Sequence, residues 1–330
     1  LIGPTITCMA IAWLRSVGLL RSMLPLVLAF ALAPESMAQG EPRAVKVGIF
    51  LTSISSVTPS DGSFRAAGYA WFLDPTGTFD ANRDFELISR SSTTNVFAST
   101  VLSNGSTYTA VEFDAVIDHA FDVGDYPFDS QVLRIKFESA DSVSHTIFVP
   151  DAEDSQIAEF VRAPGWLIDS LSFEDRAVTY QTRFGYRDEI VPYSRVTFVV
   201  DIQRKLSPLL FEKFTGFFVA LFITGLVLFI PVEELGTRVG VTTGSVFAAV
   251  FNRYRLEDAI GFDATFGIVD QVSFLTFSAI LCVLMLSILT QRILVASGPV
   301  RARMLNFRAG GTIMAVHAVL IVIAFAIALT

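Results

Sequence analysis

The sequence predicts an N-terminal all-β sandwich followed by a four-helix transmembrane bundle. Three observations predict it. Residues from about 45 to 205 fall into short alternating or β-branched runs separated by turn signals. Beyond residue 207 the chain passes into apolar runs of membrane-spanning length. Charge is scarce and unevenly spread. Of the 330 residues 52% are hydrophobic and 17% charged, with 30 Phe, where a soluble domain carries about a quarter charged residues. A purely soluble enzyme and a disordered chain are both excluded.

At the start, Arg15 and Arg21 precede an apolar stretch from Leu24 to Ala33, followed by Pro34-Glu35-Ser36-Met37-Ala38-Gln39. The stretch is short for a bilayer, and Ser36-x-Ala38 resembles a signal-peptidase site. A signal peptide over residues 1–38 is expected, the alternative being an N-terminal anchor. Cys8 lies within it and Cys282 deep in an apolar segment, so an exported domain has no internal disulfide.

The second part, residues 39–207, opens with alternation in Val45-Lys46-Val47-Gly48-Ile49 and repeats it in Tyr108-Thr109-Ala110-Val111-Glu112-Phe113. Val196 to Ile202 is a β-branched run. Turn signals stand between: Pro59-Ser60-Asp61-Gly62, Asp74-Pro75-Thr76-Gly77, and the hairpin signal Ser103-Asn104-Gly105-Ser106. No helical periodicity of useful length intervenes, and many strands over this span point to one immunoglobulin-like sandwich. The domain carries 14 basic and 24 acidic side chains, a net of −10.

In the third part, residues 208–330, four spans are expected: Lys213 to Pro231, Thr237 to Tyr254, Phe266 to Thr290, and Gly311 to Thr330. The connection from Gln291 to Arg308 carries Arg292, Arg301, Arg303 and Arg308 and no acid, so a cytoplasmic loop is expected over 291–308. An even number of spans then puts the β-domain and the C-terminus outside, in agreement with the signal peptide.

The second span is unlike the others. At helical spacing Gly240, Gly244, Phe247, Phe251 and Tyr254 fall on one stripe, and Asn252, Arg253 and Arg255 are poor neighbours for lipid. A helix bordered by water fits this pattern, its small residues making a wide level and its Phe rings a dewetting constriction. Tight helix packing through Gly240-x-x-x-Gly244 also fits.

Residues 118–135 read Asp118-His-Ala-Phe-Asp-Val-Gly-Asp-Tyr-Pro-Phe-Asp-Ser-Gln-Val-Leu-Arg-Ile. This phrase resembles the signature loop of the pentameric ligand-gated ion channels, the Cys-loop receptor superfamily, in its bacterial form. His119 and Leu133 stand at the positions of the eukaryotic disulfide. Gly165-Trp166, Arg204 ahead of the first span, four spans in order, and Arg238 with Asp270 32 residues on add to the likeness, which covers about Val45 to Thr330.

The resemblance implies a homopentamer in a bacterial inner membrane, its β-domain periplasmic, an agonist bound between β-domains, and a pore lined by the second span. Tyr126, Pro127 and Phe128 would rest on the helix ends, with Asp129 and Arg204 paired at the junction to couple domain and pore, or merely to tie them together. Glu233 and Glu234, at the cytoplasmic approach, would form an acidic ring passing cations, unless they only pair with arginines. Ligand-binding candidates are Tyr69, Trp71, Tyr108, Phe184, Tyr186 and Tyr193, each also a plausible core or rim aromatic. Ala140 stands where many receptors place a stacking Trp, so a complete aromatic box for an amine is not expected. The first span lacks the usual Pro, having Phe214-Thr215-Gly216-Phe217, and Gly261 replaces another.

His119, His145 and His317 sit in no nucleophile motif, and no phosphate loop, metal spacing or cofactor fingerprint is present. The acidic balance gives no footprint for nucleic acid. The expected partners are other copies of the chain, membrane lipid, permeating ions, and a small-molecule or proton agonist. A non-conducting membrane-anchored sensor or assembly protein with the same fold is the competing reading.

Overall fold

The computed structural model describes residues 41–185, 187–205, 209–261 and 266–328. The expected signal segment and Tyr186 lie outside them. The β region consists of β1 (Arg43–Thr58), β2 (Ser63–Asp74), β3 (Phe85–Ile88), β4 (Ser91–Val101), β5 (Thr107–Asp118), β6 (Ser130–Ser142), β7 (Thr146–Pro150), β8 (Gln156–Ile157), β9 (Trp166–Thr179) and β10 (Pro192–Arg204). One sheet runs β4-β5-β2-β1-β7, with β8 also on β1; the other runs β3-β6-β10-β9. Strands pair antiparallel except β7 and β8, which lie parallel to β1.

Period-two alternation explains both sheets. Val45, Val47, Ile49 and Leu51 of β1, Phe113, Ala115 and Ile117 of β5, Leu133, Ile135 and Phe137 of β6, and Val196, Phe198, Val200 and Ile202 of β10 are buried in one shared core. Phe137 is at its centre. Its ring meets Phe72 and Phe113 of the first sheet at 6.4 and 5.7 Å, and Phe85 and Phe198 of its own sheet at 6.0 and 5.7 Å. The predicted turns hold: Pro59–Asp61 forms a short 3-10 turn closed by Gly62, and Gly105 has a φ of 85° in the β4–β5 hairpin.

Four helices follow: α1 (Leu209–Leu226), α2 (Leu235–Ile260), α3 (Ile268–Ser297) and α4 (Pro299–Ala328). Three stretches, Glu212–Phe229, Ile268–Ser297 and Pro299–Ala328, are long and apolar enough to cross a membrane. The 26-residue α2, about 39 Å long at 1.5 Å per residue, is not among them. The expected loop over 291–308 is corrected: α3 runs to Ser297 and α4 begins at Pro299. Arg, Met, Leu and Ala are good helix formers, so the helices continue through the charged stretch. Only Gly298, with a φ of 84°, breaks them, and Pro299 suits a first helical position.

Helix packing follows residue size. A Cβ at Gly216 of α1 would come within 2.6 Å of Asn252 of α2, so glycine is what lets these backbones approach. His317 of α4 faces Ser278 of α3, Nε2 to Oγ 3.2 Å, tying the two helices by a polar contact within apolar surroundings.

Phe137→Ala removes the ring that bridges the two sheets. It is expected to destabilise the β region by about 3–5 kcal/mol, read as a lowered unfolding midpoint in detergent, with helix content unchanged.

Candidate functional site

Arg204, the last residue of β10, donates from Nε to Asp129 Oδ1 at 2.6 Å and from Nη2 to Asp129 Oδ2 at 2.9 Å. Both side chains are buried, 9% and 3% exposed. The guanidinium carbon lies 4.0 Å from the centre of the Trp166 ring and 4.8 Å from that of Tyr126, which adds cation–π attraction to a bidentate ion pair. Gln131 Nε2 donates to Asp129 Oδ2 at 2.9 Å and to the Asp122 carbonyl at 2.6 Å, closing the loop of residues 119–129 on itself. Burial raises the Tyr126 hydroxyl pKa. The expected pairing is thus present. Gln131 and Trp166, which complete it, stood in the signature phrase and beside Gly165 but were assigned no role.

This loop sits on the helix ends. Val123 and Tyr126 share an apolar cluster with Phe214 and Phe217 of α1, Leu256 and Ile260 of α2, and Ile268 and Val269 of α3. Ile268 N–H donates to the Gly124 carbonyl at 3.1 Å, and the Phe128 ring meets Phe325 of α4 at 6.3 Å. Pro127 follows a cis peptide bond. Beside the loop lies a cavity of about 350 Å³, lined among others by Ser60, Asp61, His119, Phe121, Ile260 and Gly261. His119 packs edge-on to Phe64 and Phe121 at 6.1 and 4.5 Å, and its Nε2 is buried without a hydrogen-bond partner.

Helix α2 has two faces. Arg238, Thr242, Ser245, Ala249, Asn252, Leu256 and Ile260, spaced three and four apart, are buried. The opposite stripe is the predicted one: Gly240 and Gly244 are exposed, and Phe247, Phe251 and Tyr254 are 71%, 73% and 67% exposed. Among the described residues nothing lies within 4 Å of the position a Cβ would take at Gly240 and Gly244, so these glycines do not serve packing against any of them.

The arginines of α2 bond to groups of the chain off that stripe. Arg238 is fully buried. It donates from Nη1 to Thr290 Oγ1 at 3.1 Å and from Nη2 to Asn306 Oδ1, while Asn306 Nδ2 donates to the Leu228 carbonyl at 2.7 Å. Asp270 pairs with Arg253 at 2.7 Å, and Arg253 also meets Glu257 at 2.8 Å. Arg255 donates to the carbonyls of Glu212 and Lys213 and to Asn252 Oδ1. Of the two candidate selectivity acids, Glu233 pairs with Arg303 at 2.9 Å. Glu234 is exposed at the N-terminal end of α2.

The ligand-binding candidates divide. Tyr69, Trp71 and Tyr108 lie on the outward face of the first sheet, where Trp71 pairs with Ala110 and Tyr69 with Glu112. Trp71 donates from Nε1 to Asp151 Oδ2 at 3.0 Å, and Asp151 also binds Lys46 at 2.8 Å, so the Trp71 ring is anchored on this face. Burial opposes ionisation of Asp151, but these two donors outweigh it and hold the carboxyl below its usual range. Tyr69 meets the exposed Phe97 at 5.3 Å. Phe184 and Tyr193 instead join Tyr180 at the edge of the second sheet. Tyr180 and Phe97 were missed; each becomes visible only once strand register sets its neighbours. No family model matches the chain, and no curated protein shows significant similarity to it.

Asp129→Asn and Arg204→Gln should each cost about 3–5 kcal/mol, because each strands a buried charge. The double variant should cost clearly less than the sum, measured as a coupling in a double-mutant cycle of equilibrium unfolding.

His119 gives a pH dependence. Burial lowers its pKa, with Arg134 and Lys136 acting in the same direction, against a hydrogen bond that the ring donates to Gln131. An opened junction therefore binds the proton more readily than the packed one, and packing strengthens as pH rises. It should be complete above the ordinary His value of about 6.5 and weaken as pH falls from there toward the depressed value. Amide exchange across residues 119–129, corrected for intrinsic rates, should speed up between pH 7.5 and 5.5, and His119→Phe should abolish the change.

Proposed function

We propose that the chain is one subunit of a homopentameric ligand-gated ion channel of the Cys-loop receptor type, with an immunoglobulin-like sandwich outside the membrane and α2 lining the pore. The observation that carries this reading is the outward face of α2. A helix bearing Gly, Thr, Ser, Asn and three Arg is a poor lipid-facing span, yet one whole face of it is uncovered by the other described residues. Copies of the same helix about a central axis supply the missing neighbours and leave the stripe facing water. The number five comes from the resemblance of the 118–135 phrase.

On this reading Phe247 and Phe251, one turn apart, form the dry constriction. The loop of residues 119–129 and the Asp129–Arg204 pair carry motion from the β-domain to the helix ends. The agonist binds where the rim cluster of one subunit approaches the outward aromatic face of the next. Arg292, Arg301, Arg303 and Arg308 around the α3–α4 turn favour a cytoplasmic position for that end and a periplasmic one for the β-domain, in a bacterial inner membrane. Cations are the favoured ions: the domain's net of −10 enriches them at the mouth, and Glu234 remains for an acidic ring while Glu233 is engaged by Arg303. The width of the Phe rings keeps one other reading, a non-conducting sensor with the same architecture.

Reconstitution into liposomes with ion-flux measurement, beside native mass measurement, tests the proposal. A pentamer is expected, and Phe247→Ala should raise resting leak about tenfold or more, the scale set by removing a barrier of about 1.4 kcal/mol. Monomers or dimers in lipid, or an assembled Phe247→Ala variant with unchanged flux, would sink it.

A further inference from the structure

Period two gives the second sheet an outer face as well as a core face. Val196, Phe198 and Val200 of β10 belong to the core, so Arg195, Thr197 and Val199 lie on the other side. Strand register sets their neighbours. Lys136 of β6 and Glu174 of β9 stand across from Thr197, Glu138 and Arg176 across from Arg195, and Arg134 across from Val199. From β3, Ile88 is opposite Lys136 and Glu86 is opposite Glu138. Lys136 is thus in the middle of a face that carries Arg134, Arg176 and Arg195, in a domain whose net charge is −10.

The carboxylates on this face are engaged elsewhere or turned to water. Glu138 is buried and bound by Arg195 at 2.6 Å, and the Tyr180 hydroxyl donates to it at 3.0 Å. Glu174 lies 3.9 Å from Arg134, and Glu86 is exposed. Among the described residues no carboxylate comes within ion-pair distance of Lys136 or of Arg176. The sequence holds four lysines, and the other three differ from this one. Lys46 pairs with Asp151 at 2.8 Å, Lys213 meets Glu212 at 3.7 Å, and Lys205 is exposed. Burial, with the guanidinium groups of Arg195, Arg176 and Arg134, pushes the half-buried Lys136 ammonium below the usual lysine range. Across the strand, the buried Thr197 hydroxyl has no hydrogen-bond partner.

We propose that Lys136, set among three arginines on the outer face of the second sheet, is a site of reversible carbamylation by carbon dioxide. The lone pair of the neutral Nζ attacks the carbon of carbon dioxide. An N–C bond forms, one C–O π bond opens onto its oxygen, and the amine gives a proton to water. Nothing is oxidised or reduced, and the position changes from a cation to an anion. The same surroundings favour both ends of the reaction, since guanidinium groups that disfavour an ammonium attract a carboxylate. Arg176 gains the carboxylate it lacks, and the Thr197 hydroxyl gains an acceptor. This inference needs only the sheet and stands apart from the channel reading.

The test uses the purified full-length protein in buffer equilibrated with isotope-labelled carbon dioxide and bicarbonate. Triethyloxonium converts a carbamate into a stable ethyl ester that keeps the label, and peptide mass spectrometry locates it. Lys136 should carry about tenfold more labelled ester than the exposed Lys205, the scale on which neighbouring charge changes the neutral fraction of an amine. Arg176→Gln and Thr197→Val should each lower the Lys136 ester about twofold to fivefold, the scale of one exposed ion pair or one hydrogen bond, with Lys205 unchanged. Lys136→Arg, which keeps the positive charge, should remove a carbamate resonance from the carbon NMR spectrum of the protein. Equal labelling of Lys136 and Lys205 in the unmodified chain overturns the inference. So does a Lys136 ester that neither Arg176→Gln nor Thr197→Val changes.

Discussion

The buried pair of Arg204 and Asp129 is the constraint on which the rest of the molecule depends. It joins the end of the last strand to the end of the 119–129 loop, at the point where the chain leaves the β region. An isolated charge at that depth would be costly, and the pair is stabilised by two hydrogen bonds from the guanidinium, a third from Gln131, and the aromatic rings of Tyr126 and Trp166 beside the guanidinium. Fixing Asp129 fixes the loop before it. Tyr126 and Phe128 are thereby held against α1 and α4, and Gly124 against the first turn of α3. Among the described residues this folded loop and the short turn at Pro59–Asp61 both bring the β region against the helices.

The helical half is organised by the same principle applied to α2. Its three arginines each bond within the chain, to hydroxyl and amide groups at Arg238, to carboxylates at Arg253, and to carbonyls at Arg255. Arg238 is the extreme case, a fully buried guanidinium whose bonds go to Thr290 and Asn306. Asn306 passes the constraint on to the Leu228 carbonyl, so the foot of α2, the end of α1 and the start of α4 are tied to one side chain. None of these bonds involves the outward stripe.

The strands and the buried faces were legible because they repeat. Period two marked β1 and β5, a β-branched run marked β10, and the spacing of three and four marked the stripe from Gly240 to Tyr254 before any neighbour was known. The Asp129–Arg204 pair was legible for another reason: a carboxylate among apolar residues needs a cation, and the chain offered one at the junction. What stayed hidden depends on register or on charge that looks like surface. Tyr180 and Phe97 gain partners only through strand pairing. The arginines from Arg292 to Arg308 read as a loop because charge is usually a sign of exposure, yet arginine continues a helix as readily as leucine. Asp270 found its partner in Arg253, a choice made by the way α3 starts beside the upper part of α2, which no spacing in the sequence encodes.

The outward stripe is where local and global demands on α2 part company. Every buried position on the helix is filled by a group with a partner or a packed neighbour, and among the described residues none packs over the exposed stripe of Gly240, Gly244, Phe247, Phe251 and Tyr254. A lipid-facing surface would favour Leu, Ile and Val at these places and would not alternate the smallest residues with the largest rings. A water-facing surface would favour charge. A mixed stripe, small at one end and aromatic toward the other, suits neither solvent alone. It suits a surface that meets copies of itself around a narrow space, wide where the side chains are hydrogens and dry where they are rings. That is why the proposed assembly rests on the shape and chemistry of one helix face rather than on the apolar helices around it, which any membrane protein requires.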